Sequence, residues 1–269
     1  MKSSGQLQDQ VAIITGAGGE IGATIALELL KSGAKVVWVG RSLQRLKAAA
    51  KRAQDLSLDA SRSLLVRADV REERDVERAV ATVIRHFGGV NILVNNAGAR
   101  GPTAPLTQIK LKQWRDVVET NLTGAFLFSR ECLRHMARRR QGRIINISSV
   151  VSRWGYPLRA PYAASKAALN SLTLTLAQEA GAQGIQVHAL CPGPVAGEAL
   201  ERVIQSRANA LRVPVKVMRE QFMRPAALAR AVTAEDIARA VLFLCSEGAQ
   251  NITGQLIDVS AGYGLWPGA

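Results

Sequence analysis

The sequence predicts an α/β fold, a doubly wound parallel sheet of seven strands with helices on both faces. Two patterns carry that expectation. Seven short β-branched runs alternate with longer amphipathic stretches, and each run is apolar almost without interruption. Strands covered on both faces need that character, and repeated strand–helix–strand units imply parallel pairing through right-handed crossovers. In chain order the strands are VAIIT (11–15), KVVWV (35–39), SLLVRA (63–68), NILVN (91–95), RIINIS (143–148), IQVHAL (185–190) and QLIDV (255–259). Long helices are expected at about Leu111 to Arg139 and Ala160 to Gln183. TAED (233–236) sets an acid three residues after a threonine, which predicts a capping box before IARAVLFLC. The alternation breaks at Glu198 to Arg230, a basic and mostly helical stretch placed where it could cover a substrate.

Composition narrows the function. A chain of 269 residues, 48% hydrophobic, is expected to form one domain over 1–269, with the covering segment at about 198–230. No run of about 18 apolar residues exists, so no membrane span is expected, and the opening MKSSGQLQDQ lacks the apolar core of a secretory signal. The 3 cysteines, Cys132, Cys191 and Cys245, form neither a CxxC pair nor a ligand cluster with the 3 histidines. No metal is expected, and a reducing, cytoplasmic setting follows. Net charge is +14, yet the basic residues are dispersed and aromatics are only 4%, which argues against a nucleic-acid partner. The densest basic run, ARRRQGR (137–143), suits the negative end of a helix.

The first strand leads through TGAGGEIG (15–22) into IGATIALELL. Strand, glycine turn and helix in that order suit a pyrophosphate, because a helix N-terminus offers unpaired N–H groups and partial positive charge. This makes the expected sheet Rossmann-type. The second strand ends VGRS, with Gly40 where NAD-selecting folds place an acid for the ribose hydroxyls. Arg41 follows, and its planar fork can pair a 2′-phosphate, so NADP(H) is favoured over NAD(H).

Downstream come NNAG (95–98), Asn121, ISS (147–149), YAASK (162–166) and CPGPV (191–195). Tyr162 and Lys166, four apart, share one helix face. The series in this order, from about Gln10 to Gly262, resembles the short-chain dehydrogenase/reductase family. That resemblance implies hydride transfer between NADP(H) and a ketone or secondary alcohol. Tyr162 would be the general acid/base, and Lys166 would lower its pKa and hold the nicotinamide ribose. Ser149, thirteen residues before the tyrosine, would hydrogen-bond the substrate oxygen, and Asn121 would anchor a water leading to the lysine. Gly16, Gly18, Gly19, Glu20, Ile21 and Gly22 would cradle the phosphates, with the Glu20 side chain turned away. Asp69 and Val70 would meet the adenine. Asn95, Ala97 and Gly98 would line the adenosine side, and Pro192, Gly193 and Val195 would border the nicotinamide.

The chain departs from the family pattern at four places. Glu20 replaces the middle glycine of the loop, Gly197 stands where many members have threonine, and VSAG (259–262) replaces V-D-G-G. The loop also lacks the basic residue that often accompanies NADP(H) specificity. Arg100, Arg153 and the rest of the loop 150–161 are expected to face a small-molecule carbonyl substrate. The arginines of 198–230 would suit an anionic one, unless they are merely solvated. The alternatives are a 3-oxoacyl-carrier-protein reductase specifically, or a non-catalytic cofactor-binding redox sensor. The resemblance further implies a homo-oligomer, tetramer or dimer, paired through the helices carrying Asn121 and Tyr162.

Overall fold

A computed structural model of the chain describes residues 6–265, so the first half of the opening segment lies outside the described residues. The elements alternate as expected: β1 (Val11–Thr15), α1 (Glu20–Lys31), β2 (Lys35–Gly40), α2 (Leu43–Asp55), β3 (Ser63–Arg67), α3 (Glu73–Phe87) and β4 (Ile92–Asn95). They continue with α4 (Leu111–Val118), α5 (Gly124–Arg139), β5 (Gly142–Ile147), α6 (Ala160–Gly181) and β6 (Ile185–Pro192). Then come α7 (Glu198–Leu211), α8 (Val215–Met223), α9 (Ala234–Leu244) and β7 (Leu256–Val259). All seven strands pair in parallel, in the order β3-β2-β1-β4-β5-β6-β7.

Two cores, one on each face of the sheet, hold the helices in place. Successive strand residues point to opposite faces. Ala12 and Ile14 of β1 and Val36 and Trp38 of β2 therefore pack with α1, α2 and α9. Val11, Ile13, Val37 and Val39 pack with residues of α3, α5 and α6 on the other face. Local chemistry sets the helix starts. The Ser42 hydroxyl accepts from the Arg45 N–H at the start of α2. Thr233 and Asp236 form the expected capping box at α9, with bonds of 3.1 and 2.9 Å.

The basic run has a structural use. Arg139 and Arg140 donate to the Gly88 and Ala182 carbonyls, at the C-terminal ends of α3 and α6. Cations at these carbonyls satisfy orphan acceptors and oppose the helix dipoles. No described helix is long and apolar enough to cross a membrane.

One long helix differs from expectation. The stretch from Leu111 to Arg139 is interrupted by a π turn, Glu119–Thr123, which carries Asn121. Isolated π turns within helices are frequent at functional sites.

Candidate active site

Strand order reverses between β1 and β4, and their C-terminal ends open a crevice where doubly wound sheets bind ligands. The glycine loop forms one wall. Gly16 has φ +66°, and a β-carbon there would lie 2.8 Å from Ala97 Cα. A β-carbon at Gly22 would lie 2.5 Å from Asn96 Nδ2 and 2.7 Å from the Gly16 carbonyl oxygen. The close approach has a visible cause. The Thr15 hydroxyl accepts from the Asn96 and Ala97 N–H groups, both at 3.0 Å, while the Asn96 amide donates to the Thr15 and Gly16 carbonyls. Gly19 caps α1 with no side-chain bond, so the first-turn N–H groups of Glu20, Ile21 and Gly22 remain open to an anion. The loop and helix end therefore fit a pyrophosphate.

Asn95 does not take the place expected of it. It is buried, and its amide donates to Asn146 Oδ1 of β5 at 2.8 Å and to Ser129 Oγ of α5 at 3.0 Å, between the sheet and that helix. Asn96, its neighbour, does the stitching at the crevice instead. Ala97 and Gly98 follow at the rim; a β-carbon on Gly98 would come 3.5 Å from Asn121 Oδ1 and 3.9 Å from Lys166 Nζ.

At the end of β2, Gly40 carries no acid, and Arg41 lies near enough to Asp69 to help lower its carboxyl. The larger cause of that lowering is Arg71, whose guanidinium binds Asp69 at 2.7–3.2 Å. Val70 packs against Gly124. Arg45 and Arg52, with Gly18, Gly19 and Glu20, line a hollow of about 240 Å³ beside the loop. Arg45 supplies, from the next helix, a basic group at the loop that the loop itself lacks.

Glu20 is exposed but leans across to the opposite wall. A β-carbon on Gly197 would meet its Oε2 at 2.5 Å and its Oε1 at 2.8 Å. The carboxylate thus lies against Gly197, and the two departures from the family pattern are in contact. Gly197 has φ +130° and ψ 176°, a region nearly closed to other residues. Gly197→Ala is therefore expected to destabilise by about 1–3 kcal/mol, lowering Tm by several degrees in a thermal melt; an unchanged Tm would refute it. The same wall is tied down by the Gly193 N–H donating to the Val259 carbonyl at 3.0 Å and by pairing of Val195 with Val232. Pro192 ends β6 just before it.

The turn after β5 and the first turns of α6 bring Ser149, Tyr162 and Lys166 together. Ser149 caps the short turn 150–153 and accepts from the Val151 N–H at 3.4 Å. Lys166 is buried; Nζ donates to the Ile147 carbonyl at 2.7 Å and lies 5.9 Å from the Tyr162 ring centroid. Burial lowers its pKa to about 8. Burial raises the Tyr162 phenol, against the pull of Ser149 and of the Arg100 and Arg159 cations. The Lys166 ammonium, beside the ring, is turned to the Ile147 carbonyl. The Asn121 side chain is tied to its neighbours: its Oδ1 accepts from the Ala99 N–H at 2.7 Å and its Nδ2 donates to the Ala99 carbonyl and Ser165, bracing the chain at Ala99.

Arg153 does not face the crevice. It donates to the Leu256 carbonyl and pairs with Asp258 at 3.1 Å. Tyr263, which sequence reasoning passed over, packs with Tyr156 and Tyr162 on Val150, Val151 and Cys191.

The family profile described as short chain dehydrogenase matches residues 10–208. The chain belongs to that family. Curated relatives of this dehydrogenase include the 3-oxoacyl-[acyl-carrier-protein] reductase FabG of Staphylococcus epidermidis, 36% identical over 93% of this chain and 97% of the relative. The same-named protein of Pseudomonas aeruginosa is 36% identical over 95% and 98%. Among solved structures, an actinorhodin polyketide ketoreductase variant with NADPH matches at TM-score 0.90 and 32% identity, covering 98% of this chain and all of that one. An NAD+-bound xylitol dehydrogenase matches at TM-score 0.90 and 28% identity, over 94% and 98%. This short-chain dehydrogenase is an NAD(P)-dependent oxidoreductase acting on C=O and CH–OH groups.

Proposed function

We propose that the enzyme transfers hydride between NADP(H) and a ketone or secondary alcohol, with Tyr162 as general acid in the reductive direction. The observation that carries this reading is Tyr162 beside a buried Lys166, Nζ 5.9 Å from the ring centroid, at the mouth of the glycine-lined crevice. A bound nicotinamide would supply or accept the hydride. The chain supplies the rest. Burial keeps the Tyr162 phenol protonated at neutral pH, ready to donate to an oxygen gaining negative charge. The Ser149 hydroxyl beside it would donate to the same oxygen and stabilise that charge. Lys166 would hold the nicotinamide ribose, and Asn121, fixed by its bonds to Ala99, would anchor a water leading to the lysine.

Gly16, Gly18, Gly19, Glu20, Ile21 and Gly22 would hold the phosphates through backbone N–H groups. Asp69, Val70, Ala97 and Gly98 would flank the adenosine, and Pro192, Gly193 and Val195 the nicotinamide. Arg41, with Arg45 nearby, supports a 2′-phosphate and hence NADP(H). The similar structures include both an NADPH and an NAD+ complex, so the preference rests on these residues.

A 3-oxoacyl thioester is the second reading of the substrate, favoured by the names of the curated relatives. Three buried free thiols suit a reducing, cytoplasmic setting, and exposed Phe126 and Leu174 on α5 and α6 suit a homo-oligomer paired there. The described chain is taken as a single catalytic domain in which α7 and α8 cover the substrate.

The test is NADPH and NADH oxidation by the purified protein over a panel of ketones. A preference for NADPH of about 10- to 100-fold in kcat/KM is expected, the worth of one hydrogen bond to a charged group. A preference for NADH would overturn the cofactor assignment, and no oxidation of either cofactor with any ketone would overturn the reaction.

A further inference from the structure

We propose that the crevice over Tyr162 takes a carbonyl compound that is itself an anion, its carboxylate or phosphate seated on Arg159 between Arg100 and Arg207. This inference rests on the reductase reading and names the substrate class for it.

The 3 tyrosines of the chain, Tyr156, Tyr162 and Tyr263, meet on one small apolar floor of Val150, Val151 and Cys191. Three arginines surround them. Arg159, just before α6, is only 5% exposed. Its Nη1 donates to the Arg100 carbonyl at 3.1 Å and to the Gly101 carbonyl at 3.4 Å, while its buried Nε has no partner among the described residues. Arg207 reaches over from α7. Its guanidinium lies 5.0 Å from the Tyr156 ring centroid, and its Nη1 donates to the Pro157 carbonyl at 3.1 Å. Arg100 stands at the rim of the same group, exposed and close enough to act on both the Tyr162 phenol and Arg159.

Among the described residues no carboxylate forms an ion pair with any of these three. Other arginines of the same segments are matched: Arg153 by Asp258, Arg202 by Glu198 and Arg219 by Glu201. Arg212, Lys216, Arg224 and Arg230 of the covering segment also have no ion pair among the described residues, but they are exposed to water, whereas Arg159 is buried beside the reacting phenol. Arg159 also braces the loop at 100–101, but carbonyls satisfy N–H groups without cancelling charge. A buried cation left without an anion is strongly unfavourable, and its own burial pushes Arg159 down from the ordinary arginine value. An oxyanion on the substrate would remove that penalty, and a guanidinium fork matches one in shape. Burial keeps Tyr156 and Tyr263 protonated, the latter with its pKa raised to about 12, so both phenols can donate to an anion.

The experiment measures NADPH-dependent reduction of matched pairs: 4-oxopentanoate against its methyl ester, and dihydroxyacetone phosphate against dihydroxyacetone. The anion of at least one pair should have the higher kcat/KM, by about tenfold or more, with the advantage shrinking as salt is raised. Which pair shows it tells carboxylate from phosphate. Arg159→Gln should remove the advantage, and Arg159→Lys should keep part of it. Arg207→Gln should lower kcat/KM for the anion more than for its neutral partner, mainly through KM. Should Arg159→Gln fail to fold, Arg207→Gln and Arg100→Gln decide. Equal or better use of the neutral partner in both pairs overturns the inference, as does an advantage untouched by every substitution. Reduction of neutral ketones alone would leave the reductase reading standing. Reduction of none of the four would overturn the inference, and the reaction itself falls only if the wider ketone panel also fails.

Discussion

Tyr162→Phe is expected to lower kcat by about 10²- to 10⁴-fold, the usual worth of a positioned general acid, while NADPH still binds. The phenol oxygen is what the substitution removes; the ring and its packing on Val150, Val151 and Cys191 stay. Cofactor affinity should therefore hold, because the glycine loop and the wall at 192–197 are untouched. Steady-state turnover together with a fluorescence titration of NADPH checks both halves. Turnover within a few-fold of wild type would remove Tyr162 from the chemistry. A parallel loss of NADPH binding would instead make it a binding group.

Lys166→Met is expected to abolish most turnover and yet raise stability at neutral pH. The ammonium is buried, and its pKa falls from 10.5 to about 8 because burial disfavours the charged form. Between those values the unfolded chain binds more protons than the folded one, so this residue's contribution rises with pH through the window from about 8 to 10.5. Below pH 8 the penalty is fully present, on the order of 3 kcal/mol for a shift of that size. Met fills similar space without the charge but forfeits the ammonium's bond to the Ile147 carbonyl, worth about 1.5–3 kcal/mol as a hydrogen bond to a charged group, which offsets part of that gain. Urea unfolding at pH 7 and again near pH 10.5 checks the sign. The variant should lead at pH 7 and lose that lead at the higher pH; a difference independent of pH would refute the buried-ammonium account.

The sheet was legible because apolar runs and their spacing are local. All seven strands fall within about a residue or two of where the β-branched runs placed them. Chemistry that depends on which way one residue points was less legible. Asn95 and Asn96 are adjacent and identical, but neighbours at a strand end face opposite ways, so one joins the core and the other the crevice. The doubled asparagine offered no means of choosing. Arg153 found its partner in Asp258, over a hundred residues away, which no local pattern announces. Tyr263 sits in a C-terminal turn whose place over the catalytic helix is set by the whole fold. Arg45 hid in the first turn of α2, and only folding lays it against Gly18. The Tyr162 and Lys166 pair was readable, since one helical turn joins them.

The π turn at Glu119–Thr123 winds one residue more into its turn than an α-helix would. Buried residues before it, such as Val117, and after it, such as Leu127, Phe128 and Cys132, are therefore out of phase by about 100° with an uninterrupted helix. Deleting a single residue here would straighten the hydrogen-bond ladder and, by the same act, twist one half against the other. Either Asn121 would swing off the Ala99 peptide or the apolar stripe of α5 would roll off the sheet. Length in this segment is thus fixed more tightly than sequence, and related chains should tolerate substitution there far better than insertion or loss.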